Sequence, residues 1–582
     1  MNNQMTAQEY KIRDIFSRED KEYRIPNYQR PYSWTRKQAE ELFDDIIDAY
    51  NNRTNEYFLG SIITISNKDA NIFEIIDGQQ RIISLSLLLL AIKDYFEQNV
   101  HTLSKCNDIM FDIKNRLTND SISSYNKNNT KIKVRTTDQS FYDSLIYHKI
   151  FQENNLTDSQ LKILSNYNVF KDKISDINFD VQNMIQLYIY MTEKISIVLI
   201  STTNIESSFR IFDVLNSRGL ALTTIDLLKS KIFEKVFLKY QEKIPELEQK
   251  WLLLEDRIGI DNLNGFYITH CLSKLEKHEL LFSNSIERYE ERLNNDPSVS
   301  NNPLIIVDEL IRSAKNYNCL YNNLFNHADI SQSLHILSYI TRSSRKDSKI
   351  STYSTWIPPL LAIKNRMDEI NESTDISLDN FKEFLKIYEV FFLQMMLLKY
   401  NKPQIQNAYG NLIANINKLE DFNTIKNNLI NLLKNNEIYE ILNKDFNVRT
   451  PSMNQVVKGL YLRINFNFSD EKYTLMDLPN LTIEHILPKK ISNNYWNDRF
   501  NEHDHSLWLN KLGNLTLLNK NKNSSIQNSD FKSKKEIYSN ETNSIFPLTR
   551  ELINYNDWTP NDINKRHIYI LNLSRKFLTQ YK

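Results

Sequence analysis

The residues with the clearest chemical potential are Glu484 and His485 in Thr482-Ile483-Glu484-His485-Ile486-Leu487-Pro488, with Asn514 following in Leu512-Gly513-Asn514 and Asn523 after it. A histidine near its ordinary pKa of about 6.5 takes a proton from water at neutral pH. A glutamate and an amide carbonyl are hard oxygen donors, better suited to Mg2+ or Mn2+ than to zinc. Phosphodiester hydrolysis needs both a hydroxide-like nucleophile and a cation that offsets charge on the phosphate and the departing 3′ oxygen. The expected roles are therefore His485 as general base, Glu484 and Asn523 as metal ligands, and Asn514 as an amide that ties a loop to the strand and orients the histidine. Between residues 519 and 535, Lys520, Lys522, Lys532, Lys534 and Lys535 face a single Asp530, a local basic run of the kind a nucleic-acid backbone requires. Neighbouring strand residues point to opposite faces, so an E-H pair alone is also compatible with a core histidine; the ordered set of four favours catalysis. His503 and His505 form an H-x-H that reads as an exposed loop.

A second constellation lies toward the N-terminus. Ile75-Ile76-Asp77-Gly78-Gln79-Gln80-Arg81 directly precedes an apolar run, so a helix beginning at Gly78 would aim its N–H groups and dipole, together with Arg81, at an anion. Read without context, Asp77-Gly78 is equally a turn and Arg81 a surface charge. Ile25-Pro26-Asn27-Tyr28-Gln29-Arg30-Pro31-Tyr32-Ser33-Trp34 sets an arginine among aromatics, which read as core residues in preference to a base-stacking cage. Phe209 to Leu222 reads as a helix ended by a glycine turn, displaying Asn216 and Arg218, and runs on to Asp226-Leu227-Leu228-Lys229.

These segments need strands and helices to hold them. Phe58–Ile65, Phe73–Ile76 and Ile195–Ile200 are rich in β-branched residues and predict strands, as do Thr482–Ile486 and Asn514–Leu518. Ile82–Ile92 predicts a buried helix, too short and too often interrupted by serine to span a bilayer. From 236 to 450 apolar residues recur at helical spacing, as in Phe381–Leu398. Only 8 glycines and 13 prolines occur in 582 residues, against roughly 12% for the two together in an average protein, which suits a helix-rich folded chain. No glycine arrangement matches a Rossmann turn or a Walker A loop. Seventy-two basic and 72 acidic residues cancel, so overall charge neither favours nor excludes nucleic acid. Three scattered cysteines, with no C-x-x-C, exclude a disulfide scaffold or zinc ribbon and suit a reducing compartment. A polar Met1-Asn2-Asn3-Gln4 start, unlike a signal peptide, makes the cytoplasm the expected location.

The order strand with E-H, strand with Asn, helix with Asn is similar to a ββα-metal nuclease motif of the HNH class. Together with Trp496, Trp508, Phe531-Lys532-x-Lys534 and Tyr538, residues 451–582 resemble the DUF1524 nuclease domain of the GmrSD type IV restriction family. The motifs Pro26-x-Tyr28-Gln29-Arg30-x-Tyr32-x-Trp34, Gly60-Ser61-Ile62, Asp77-Gly78-Gln79-Gln80-Arg81 and Asn216-x-Arg218-Gly219-x-x-Leu222, with Asp226-Leu227, resemble the DUF262 domain of the same family over residues 1–235. The resemblance implies an α+β, predominantly helical chain: a ParB/sulfiredoxin-like domain at 1–235, a helical connector at 236–450 and an HNH domain at 451–582. It further implies nucleoside triphosphate binding by Asp77, Gly78, Gln79, Gln80 and Arg81, with Arg30, Asn216 and Arg218 as additional candidates. The expected activity is nucleotide-regulated cleavage of double-stranded, modified phage DNA, with no membrane association and with homo-oligomerisation left open. Two alternatives stay open: a phosphorothioation-dependent defence nickase of the same architecture, and a nucleotide-binding regulatory or toxin-like protein with an inactive nuclease fold.

Overall fold

A computed structural model of the chain describes residues 5–16, 21–67, 71–101, 104–119, 129–147, 156–202, 223–275, 285–341, 355–368, 376–418, 421–443, 451–468, 481–491, 494–519, 528–539 and 546–581. The architecture is α+β and mostly helical. By internal contacts it forms two units, Met1–Leu252 with Tyr289–Ile305, and Leu253–Arg288 with Ile306–Lys582. The segment read from sequence as a helical connector contributes to both, and the 235/236 boundary falls inside the helix Thr224–Lys239.

The first unit is built on a mixed six-stranded sheet. Its strands are β1 (Met5–Lys11), β2 (Glu22–Arg24), β3 (Tyr57–Asn67), β4 (Ile72–Asp77), β5 (Ile132–Lys133) and β6 (Ile195–Thr202), in the order β1-β6-β3-β4-β2-β5. The β1/β6 and β3/β4 pairs are antiparallel and the others parallel. The predicted strands around 58–65, 73–76 and 195–200 correspond to β3, β4 and β6, whereas β1, β2 and β5 had no clear sequence signal. β5 has two residues and β2 three, too few for alternation to register. Sharing a core with Ile62 and Ile75 of the sheet is the helix Gln79–Gln98, buried on nearly every face, including its polar residues Gln79, Gln80, Ser84 and Ser86. Each serine has a partner in the core: Ser84 Oγ meets Tyr32 Oη at 2.6 Å and Ser86 Oγ meets Tyr142 Oη at 2.7 Å.

The second unit joins helices to the C-terminal constellation. The helix Leu378–Leu397 buries Phe381, Phe384, Tyr388, Phe391 and Phe392 at its centre. The buried Arg463 of the helix Pro451–Phe468 donates from Nε to Glu389 Oε1 at 2.9 Å and from Nη2 to Ser333 Oγ at 2.9 Å. Beyond it, β7 (Leu481–His485) and β8 (Leu515–Asn519) pair antiparallel, with His485 opposite Leu515 and Glu484 opposite Thr516. Two strands are marginal alone in water. Here the helix Pro560–Leu578 supports them through Arg566, 0% exposed, whose Nη1 donates to Gly513 O at 2.8 Å and Leu515 O at 2.7 Å. Its Nη2 donates to Leu548 O at 2.9 Å, and Nε to Glu551 Oε1 at 2.9 Å. Among the described residues no helix is long and apolar enough to cross a membrane.

Gly513 is where this support requires close approach. A Cβ there would lie 2.2 Å from Ile563 O and 2.6 Å from His567 N, main-chain atoms that cannot swing aside. Gly513→Ala is expected to destabilise the unit by about 1–3 kcal/mol, the usual cost of overpacking, measured as a lowered midpoint in urea unfolding. The control Gly410→Ala, at a position with no atom within 4 Å of the added Cβ, should not lower it.

Candidate functional site

The C-terminal site forms where β7 ends. Glu484 and His485 leave the strand on opposite faces, so one side chain is buried and the other reaches the half-buried edge. Asn514, 0% exposed, fixes the turn that follows. Its Oδ1 accepts from Leu487 N at 2.6 Å, its Nδ2 donates to Leu487 O at 3.1 Å and to Leu509 O at 2.9 Å, and its own carbonyl accepts from Ile486 N at 2.9 Å. Trp558 Nε1 also donates to Asn514 Oδ1, at 3.2 Å. The side-chain amide thus works on the main chain of Leu487 and Leu509 and on the Trp558 indole.

His485 makes its side-chain hydrogen bond with a different residue, Asn510. That bond favours the protonated ring, as an amide oxygen accepting from a ring N–H does. Burial outweighs it, and with the positive charges of Lys489 and Lys534 it lowers the His485 pKa to about 4. The near-normal value expected from sequence is therefore corrected, because the sequence does not reveal how far the strand end is desolvated. The ring remains neutral at pH 7, the state a base requires. Sequence reasoning missed Asn510, four residues before the glycine-flanked Asn514, and the exposed pair Lys489-Lys490. A doubled lysine directly after Ile486-Leu487-Pro488 was the available signal.

Glu484 has a different fate from the one expected. It is 3% exposed, and its Oε1 accepts from Lys534 Nζ at 2.5 Å and from Tyr538 Oη at 3.3 Å. Burial pushes the carboxyl upward and the Lys534 ammonium downward, while their contact opposes both shifts. Glu484 so engaged does not fit a ligand for Mg2+ or Mn2+, and among the described residues no three His, Cys, Asp or Glu side chains converge on one point. Asn523, Lys520 and Lys522 lie outside the described residues. Lys534 is removed from the expected DNA-facing set, since a 0% exposed ammonium cannot meet a phosphate backbone. Lys535 is half-buried and donates to Tyr555 O at 2.6 Å, leaving Lys532 as the exposed lysine of the helix Phe531–Ser539. His503 and His505 belong to the helix Glu502–Trp508 and not to a loop; His503 is exposed and His505 Nε2 lies 2.9 Å from Pro488 O.

In the other unit, Asp77-Gly78-Gln79-Gln80-Arg81 is the turn from β4 into the helix Gln79–Gln98. Gly78 has φ +88°, and a Cβ there would lie 2.8 Å from Ile62 Cγ1, so turn and packing both select glycine. Gln80 is fully occupied within the protein. Its Oε1 accepts from Ser33 N at 2.8 Å and Trp34 N at 3.2 Å, and its Nε2 donates to Pro31 O at 3.2 Å. Arg81 Nη1 donates to Ser61 O at 2.8 Å, and burial lowers its pKa against the opposing charge of Asp77. Gln29 Nε2 donates to Ile76 O at 3.0 Å, bringing the turn that carries Arg30 against the end of β4. Tyr28 and Tyr32 are core residues, Tyr28 packing on Phe233 and Phe237. Asn216 and Arg218 lie outside the described residues. Asp226 closes a capping box with Thr223, accepting from Thr223 Oγ1 at 2.6 Å at the start of the helix Thr224–Lys239.

Two family models match the chain. The model for the GmrSD restriction endonuclease N-terminal domain covers residues 12–233, and that for the GmrSD restriction endonucleases C-terminal domain covers residues 433–573. No curated protein matches the chain.

Asn514→Ala would leave both polar main-chain groups of Leu487 without their amide partner, at about 1–3 kcal/mol for each group so stranded. The expected outcome is a clear fall in the thermal midpoint together with loss of any activity that depends on His485. A midpoint within 1 °C of the parent would show that the clamp does not hold the turn.

Proposed function

Since this chain belongs to the GmrSD restriction endonuclease family, we propose that it cleaves phage DNA at the end of β7, with His485 as general base, under the control of a nucleoside triphosphate bound in its N-terminal unit. The observation that carries this reading is His485 itself: neutral at pH 7, hydrogen-bonded to Asn510, and close enough to Lys489 to feel its charge. A neutral imidazole at the edge of a basic rim can take a proton from water as the resulting hydroxide attacks phosphorus and the 3′ oxygen departs. Asn510 holds the ring in one orientation, so less freedom is lost on reaching the transition state. Lys489, Lys490 and Lys532 supply exposed positive charge for the DNA backbone. The antiparallel strand pair followed by the helix Phe531–Ser539 supports an HNH-type arrangement.

For the nucleotide, the turn from β4 into the helix Gln79–Gln98 supports a phosphate position at Gly78, where N–H groups and the helix dipole favour negative charge. Asp77 directly precedes it, and Arg30 follows Gln29, whose Nε2 donates to Ile76 O. Gln80 and Arg81 act indirectly, by fixing the Pro31–Trp34 segment and the Gly60–Ser61 main chain around the turn. The mixed sheet with this turn at a strand end supports the ParB/sulfiredoxin-like reading of the unit.

Four outcomes test the proposal. On phage DNA with and without glucosylated bases, with Mg2+ or Mn2+ supplied, His485→Ala should lose cleavage by at least about 100-fold, the lower range for a general base; equal cutting by both proteins would refute the base assignment. Asn510→Ala should lower kcat with little change in KM for DNA. An imidazole lowered to about 4 remains a base as pH falls through 6.5, so cleavage at pH 5.5 should stay within two-fold of that at pH 7; an ordinary histidine would lose about ten-fold. Asp77→Ala should remove triphosphate hydrolysis while leaving the thermal midpoint of the other unit unchanged.

A further inference from the structure

We propose that Glu484 is the counter-ion of Lys534 and not a metal ligand, and that this buried pair positions His485 where the sequence pattern led to the expectation of a divalent cation. The inference rests on the nuclease reading above and deepens it.

The geometry is specific. Lys534 Nζ reaches two consecutive residues of β7, donating to Glu484 Oε1 at 2.5 Å and to the His485 carbonyl at 2.9 Å. One ammonium therefore fixes the carboxylate on one face of the strand and the peptide that carries the base. Tyr538, one helical turn after Lys534, donates to the same Glu484 oxygen at 3.3 Å, so the helix Phe531–Ser539 presents two donors from one face. That helix is itself anchored: Phe531 stacks on Trp558 with ring centroids 5.1 Å apart, and Asp530 Oδ1 accepts from Ser533 N at 2.8 Å.

A divalent cation coordinated by Glu484 would sit about 2.0–2.6 Å from its oxygens. Lys534 already lies at that range and is 0% exposed. Metal at this carboxylate would place two cations side by side in a dry site, or strand the ammonium, and a buried charge deprived of its partner is strongly unfavourable. The ammonium instead offsets the charge of the carboxylate. Glu484 and Lys534 are thus positioning residues, acting on His485 through its main chain.

The test uses the full chain with MnCl2 as the metal probe and plasmid DNA as substrate, in wild type, Glu484→Gln, Lys534→Met and the double variant. Mn2+ binding is read from the free-ion electron paramagnetic resonance signal, stability from the thermal midpoint, and catalysis from kcat and KM separately. The expected result is a Mn2+ affinity within two-fold of wild type in Glu484→Gln, or no Mn2+ bound by either. Each single variant should have a lower midpoint and a kcat reduced at least ten-fold, with KM for DNA within three-fold. The double variant, losing both charges together, should recover most of the midpoint. The proposal is overturned by a ten-fold or greater loss of Mn2+ affinity in Glu484→Gln at an unchanged midpoint, or by wild-type midpoint and kcat in Lys534→Met. Should a single variant not fold, Mn2+ affinity in the double variant decides by the same two-fold and ten-fold limits. If wild type cuts no DNA, the nuclease reading fails, while the binding and midpoint outcomes still decide the role of the pair.

Discussion

The hydrogen bonds between the Asn514 side chain and the main chain of Leu487 are the constraint on which the C-terminal site depends. They continue the β7–β8 ladder past its last residue pair, so the chain turns toward Pro488 without exposing an unpaired rung. His485 lies directly before that continuation, and its direction follows from it. Asn514 Oδ1 also takes the Trp558 indole, and the buried Arg566 holds the carbonyls of Gly513 and Leu515 on either side. A pair of five-residue strands is in this way stiffened by side chains from a helix and loops beyond it.

The N-terminal unit uses the same device with a different amide. Gln80 satisfies three main-chain groups of Pro31–Trp34 as Asn514 satisfies those of Leu487 and Leu509. In both places a buried carboxamide, able to donate and accept at once, stands in for a missing strand neighbour. Burying such a group is costly unless its hydrogen bonds are made, and here they are. The residues that look most chemical in these motifs are therefore partly scaffold.

Much of the framework was legible because it follows periodicity. The β-branched runs at β3, β4 and β6 and the greasy run inside Gln79–Gln98 are local signals, and a glycine at Gly78 marks a turn that few other residues could make. What was not legible depends on contacts between distant segments. Glu484 and Lys534 are 50 residues apart, and nothing in either local sequence tells a metal ligand from an ion-pair partner. Lys534 looked like one more lysine in a basic run because helical phase, which turns it inward while Lys532 faces out, was not resolved from charge alone. Asn510 was overlooked because the neighbouring Gly513-Asn514 is the stronger pattern. The depressed pKa of His485 is likewise a property of surroundings and has no local signature.

Arg566 gives the architecture a direction in time. The carbonyls of Gly513 and Leu515 that it binds lie 53 and 51 positions earlier, and its own helix runs on to Leu578. While the chain is being synthesised, both β7 and β8 emerge before the guanidinium that braces them. The strand pair therefore stays without this brace until the helix Pro560–Leu578 has been made.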